Sequence, residues 1–241
     1  MKTILVIGAG RSSSSMIRYF LNNAEKEDWY IRVGDMNLEM AQDKVGKHPR
    51  SEAFQFDALN EEVRRAELQN VDFVVSMLPA HFHVEVVKDC IDMKINVITP
   101  SYVSEEMKEL DGAAREAGII IMNEIGVDPG IDHMSAKKIL DEIAEKKGEI
   151  EYFESFTGGL VAPESDDNPW NYKFTWNPRN VVLAGQGSAA KFIQQGQYKY
   201  IPYNKLFRRT EIIEVEGHGK FEGYANRDSL KYRSIYGLED I

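Results

Sequence analysis

The chain has 241 residues, 43% hydrophobic and 28% charged, with a formal net charge of -10 and a pI near 5.1. That composition predicts an ordinary globular protein with a sizeable core, and its acidity argues against general affinity for nucleic-acid backbones or anionic membranes. A single cysteine, Cys90, excludes an internal disulfide and favours a cytoplasmic location, and no apolar run approaches the ~20 residues that span a bilayer.

In chain order, short runs of Val, Ile, Leu and Phe fall at 3–7, 30–33, 53–56, 71–77, 95–98 and 118–122. Their length and β-branched character predict buried strands. Between them, Met16, Ile17, Phe20 and Leu21, then Val84, Val87, Cys90 and Ile91, then Met107, Leu110, Ala114 and Ala117 have helical spacing. The β-α-β alternation predicts a Rossmann-like, doubly wound parallel sheet over residues 1–124. From 125 to 241 the texture changes to an α+β domain: a helix at 132–147, then strands at 150–156, 181–184 and 211–215. The aromatic run 197–203 also reads as a half-buried strand.

The first strand runs into GAGRSS. Gly8 allows the tight turn, Gly10 lets the backbone approach a pyrophosphate, and Ser13 replaces the third glycine of the dinucleotide fingerprint with a small side chain. Ser12 to Ser15 sit at the helix start, where hydroxyls and unpaired amides can donate to phosphate oxygens, and Arg11, Ser12 and Ser13 count among the expected cofactor contacts. Asp35 ends the second strand, 25 residues after Gly10, where a carboxylate accepts from the adenosine ribose. Its charge favours NAD and leaves NADP possible, with Arg11 and Arg32 close in sequence.

Three further stretches follow predicted strands: SMLPAHFH (76–83), TPSYVS (99–104) and NEIGVDPGIDHM (123–134). Ligands of an open parallel sheet bind outside the carboxyl ends of its strands, so these loops share an edge with the glycine turn. Asp57, Met77, Leu78, Pro79 and Val127 complete the expected cofactor contacts. His81 and His83 lie at a helix start and point apart, without a third ligand nearby, so no metal is expected.

With GGLVAPESDDNPWNYKFTWNPRNVVLAG (158–185) and GYANRDSLKYRSIYGL (223–238), these ordered motifs make the chain resemble the saccharopine dehydrogenase family, in its glutamate-forming, saccharopine reductase branch. The resemblance implies an NAD(P)-dependent enzyme that oxidises a secondary amine joining two amino acids, converting saccharopine and water to glutamate and 2-aminoadipate semialdehyde or the reverse. It carries active-site roles onto Tyr102 and Asp128, with Ser101 beside them, and a substrate-gripping role onto Arg227. A planar guanidinium clasps a carboxylate through two hydrogen bonds, and Lys173 and Arg179 are second choices, with Trp176 as a wall. Family members commonly carry cysteine where Thr157 stands, so no thiol role transfers. The family's substrate domain continues beyond the region matched, which suggests an incomplete C-terminal part. A possible homodimer completes the expectation. The alternatives are a carboxynorspermidine or opine-type dehydrogenase, and a nucleotide-binding fragment without catalysis.

Overall fold

The computed structural model of the chain describes residues 1–174, 178–183 and 189–241. These form two compact units, Met1–His133 and Met134–Ile241.

The first unit holds strands β1 (Lys2–Ile7), β2 (Trp29–Asp35), β3 (Ser51–Gln55), β4 (Phe73–Ser76), β5 (Asn96–Ile98) and β6 (Ile121–Met122). They pair in parallel in the order β3-β2-β1-β4-β5-β6. All six coincide with predicted apolar runs. Successive β1 side chains enter opposite cores: Leu5 and Ile7 pack with Val86, Val87 and Cys90, while Ile4 and Val6 pack with Ile17, Leu21 and Val45. Both faces of the sheet are therefore covered by helices, which makes the strands read as continuous hydrophobic runs.

The helices are α1 (Ser14–Asn23), α2 (Leu38–Val45), α3 (Glu61–Glu67), α4 (His83–Met93), α5 (Glu105–Glu109) and α6 (Asp111–Ala117). The Asn37 side chain accepts from the amides of Glu39 and Met40, Asn60 from Val63, and Ser104 from Met107. Each cap satisfies an otherwise orphaned helix donor. Arg64 on α3 and Asp89 on α4 meet at 2.7 Å with about 6% of each side chain exposed, an ion pair inside the core. Beyond β6, Glu124 N donates to Ser101 O, which ties the segment after residue 123 to the end of the sheet.

The second unit is built differently. Helix α7 (Ile131–Glu145) leads into it, followed by α8 (Pro178–Leu183) and two antiparallel hairpins, β7 (Ala190–Gln194) with β8 (Gln197–Ile201), and β9 (Thr210–Val215) with β10 (Gly219–Tyr224). Its buried cluster is Ala190, Ile201 and Leu206, against Phe192 and Ala225. Two expectations fail here. Residues 150–156 form no strand, since alternation describes a face but a strand exists only where a neighbour accepts its hydrogen bonds, and no described strand pairs with them. Residues 181–183 belong to α8, which Pro178 opens from the position where its missing N–H costs nothing. Among the described residues, no helix is long and apolar enough to cross a membrane.

Candidate active site

Gly8 leaves β1 with φ +105°, and a Cβ there would stand 3.1 Å from the Met77 carbonyl oxygen, so the turn itself demands glycine. Gly10 is different. Its φ is -64° and a Cβ would meet nothing within 4 Å. The protein itself therefore leaves room for a side chain at that position. Ser13 is fully buried, and its Oγ donates to the Gly10 carbonyl at 2.8 Å, while Ser14 Oγ donates to Arg11 O at 3.1 Å. These two hydroxyl donors are thus used within the loop, contrary to the expectation that they face phosphate. Arg11 and Ser12 stand exposed at its rim.

Asp35 also serves the loop. Oδ2 accepts from Ala9 N at 2.6 Å and Oδ1 from Asn37 N at 2.9 Å, so the carboxylate clamps the glycine turn to the end of β2. Both carboxylate oxygens are thus engaged by backbone amides in this structure. Arg32 is engaged by Glu52 and Glu67 and lies 4.7 Å over the Phe54 ring, away from that role. Lys44 of α2 places its Nζ 2.7 Å from Ser14 Oγ at the start of α1, a cation the sequence reading did not single out.

The remaining strand-end loops line the same edge. Met77 N donates to Ile7 O at 2.8 Å, Leu78 follows it, and Pro79 opens the single 3-10 turn before α4. Asp57 follows β3 and accepts from Leu59 N at 2.9 Å, a turn-capping bond. Asn123, directly after β6, buries its Oδ1 without a hydrogen-bond partner. A buried acceptor left unpaired is uncommon in native proteins and fits a site that receives a donor from a ligand. Its place in NEIGVDPGIDHM was the one signal for it at the level of sequence.

Tyr102 and Asp128 come together: the phenol donates to Asp128 Oδ1 at 2.6 Å. Partial burial, the Asp128 carboxylate and the nearby Asp132 and Glu124 raise the phenol pKa well above the usual tyrosine range. Tyr102 therefore stays protonated at neutral pH as a donor to a carboxylate. The Asp128 loop is tight. Gly126 N donates to Pro129 O at 2.8 Å, and Gly130, at φ +153°, lies so close to Gly126 that a Cβ would fall 2.1 Å from its carbonyl oxygen. Val127 projects outward, 69% exposed. Asp128, Asp132 and His133 bring ligand-type atoms within 4.8 Å of one another.

Ser101 lies next to Tyr102, but its hydroxyl contacts His83 Nε2 at 2.8 Å instead of facing outward. The cationic candidates belong to the second unit. Lys173 is paired with Asp167 at 2.8 Å. Arg179 is exposed on α8, and Arg227 is exposed, with its backbone carbonyl accepting from Lys191 N at 3.0 Å. Trp176 lies outside the described residues.

Residues 4–122 match the saccharopine dehydrogenase NADP binding domain, and residues 126–241 the saccharopine dehydrogenase C-terminal domain. Among similar proteins, the saccharopine dehydrogenase (NADP(+), L-glutamate-forming) of Pyricularia oryzae is 36% identical over 239 residues, covering 99% of this chain and 52% of that protein. The alpha-aminoadipic semialdehyde synthase of Arabidopsis thaliana is 35% identical over 98% of this chain and 24% of its own length. Apo saccharopine dehydrogenase (L-Glu forming) from Saccharomyces cerevisiae superposes with a TM-score of 0.90 at 34% identity, across 100% of this chain and 53% of that one. The chain thus spans about half the length of the saccharopine dehydrogenases it matches. The preference for NAD expected from Asp35 finds no support in these likenesses, which name NADP.

Proposed function

We propose that this chain, which belongs to the saccharopine dehydrogenase family, works as an NADP-dependent oxidoreductase on a CH–NH bond, converting saccharopine and water to glutamate and 2-aminoadipate semialdehyde or the reverse. The observation that carries this reading is the Tyr102–Asp128 pair, a donor and a carboxylate 2.6 Å apart on the sheet edge that also bears the open glycine turn. Gly8 and Gly10 would receive the pyrophosphate of a dinucleotide, Lys44 would supply positive charge near the start of α1, and Asn123 Oδ1 would serve as an acceptor for it.

A bound nicotinamide would supply the hydride acceptor for the carbon beside the amine nitrogen. The carbon–nitrogen bond becomes an imine, and the amine proton must leave. Asp128 is placed to take it, and Tyr102 to hold the carboxylate in orientation and return a proton when water adds and the carbon–nitrogen bond breaks. Arg227, with Lys173 and Arg179 behind it, is the proposed grip on substrate carboxylates. A cytoplasmic location and a homodimer belong to the same reading.

The test mixes the chain with saccharopine and NADP(+) and follows reduced cofactor and glutamate together. Equal formation of both, with a loss of about 100-fold or more in Asp128→Asn, is the expected result. Cofactor binding without turnover overturns the catalytic reading for this chain and leaves a nucleotide-binding fragment.

A further inference from the structure

Protein interiors take polar side chains only where their hydrogen bonds are met. Beside the site, three such side chains gather: Ser76, His83 and Thr99 are 0%, 2% and 1% exposed. His83 opens α4, and its two ring nitrogens reach different strands. Nδ1 lies 2.8 Å from Ser76 Oγ at the end of β4. Nε2 lies 2.8 Å from Ser101 Oγ and 2.9 Å from Thr99 Oγ1, both just past β5. Thr99 Oγ1 in turn accepts from Ser101 N at 3.3 Å. Burial, with the charge of His81 adding to it, lowers the imidazole pKa to about 4, so the ring is neutral, donating from one nitrogen and accepting at the other.

The consequence lies one residue further on. Ser101 is followed by Tyr102, and the segment 101–103 is fastened on its other side by Glu124, whose N donates to Ser101 O at 3.0 Å and whose Oε1 accepts from Val103 N at 3.0 Å. We propose that His83 is a positioning residue: through Nε2 it fixes Ser101, and thereby the turn that brings the Tyr102 phenol onto Asp128. It touches neither substrate nor cofactor. The inference rests on the reading of Tyr102 and Asp128 as a proton pair, and its test reads Tyr102 directly.

Fluorotyrosine placed at position 102 lowers the phenol pKa into the range where the protein stays folded, and its fluorine resonance reports ionisation. In the parent chain, Asp128, Asp132 and Glu124 hold that titration above the value of free fluorotyrosine. Glutamine reaches about as far as Nε2 and asparagine about as far as Nδ1. His83→Asn and Ser101→Ala are therefore expected to lower the proton affinity of the phenol about threefold to tenfold, the effect of losing one anchoring hydrogen bond, while His83→Gln restores the parent value. Ser101→Ala removes a single hydroxyl and decides the matter if His83→Asn does not fold. Folded His83→Asn or Ser101→Ala chains with the parent titration overturn the proposal. A parent phenol that titrates like free fluorotyrosine overturns both this proposal and the proton pair, whereas a parent phenol that responds to His83 in a chain without turnover defeats the catalytic reading alone.

Discussion

The two units differ in what they bury. Both pair charges at the surface, but Met1–His133 also encloses polar groups in its interior, Arg64 with Asp89 and His83 with Ser76 and Thr99. In Met134–Ile241 they pair at the surface, as Lys173 does with Asp167 and Lys191 with Asp228, above a small buried cluster. The first arrangement makes the polar groups part of what specifies the fold. The second leaves side chains available for recognition at little structural cost.

The contrast breaks most readily at the Arg64–Asp89 pair. Asp89→Ala leaves the Arg64 guanidinium buried without its counter-charge and is expected to cost about 3–5 kcal/mol, read from the denaturant midpoint. A loss near zero would mean that the pair is solvated. Acid is the next lever. His83 has a folded pKa of about 4 against 6.5 in the open chain, so between those values the unfolded state binds a proton that the folded state does not. Stability should therefore fall as pH drops from 6.5 to 4, by up to about 3 kcal/mol from this group, and the profile of His83→Gln should be flatter over that window. The smallest effect belongs to the second unit, where Lys191→Met, removing the 3.2 Å contact to Asp228, is expected to change stability by less than about 1 kcal/mol.

What was legible in the sequence follows the same divide. All six parallel strands were visible because both faces of the sheet are covered and the runs are apolar throughout. The loops bearing Gly8, Tyr102 and Asp128 were visible because each directly follows such a run. Helices α2 and α3 were not, since LEMAQDKV and EEVRRAE are short and mostly polar and take their place from caps and packing. The roles of His83 and Asp35 were hidden for another reason. Which nitrogen faces which hydroxyl, and whether a carboxylate faces ribose or its own backbone, depend on strand ends that only the folded sheet brings together. In the second unit, the runs at 150–156 and 181–183 carry strand-like residues, but hydrogen-bonding neighbours decide strands, and those are not written in the run itself.

The proposed dinucleotide site against the glycine turn is best probed at Gly10, where a Cβ would meet no protein atom within 4 Å. Calorimetric titration of NADPH into the parent and into Gly10→Val is the measurement. Saturable binding to the parent, loss of that binding in Gly10→Val and the same unfolding midpoint for both chains are expected. A folded Gly10→Val chain that binds NADPH as tightly as the parent rules this site out.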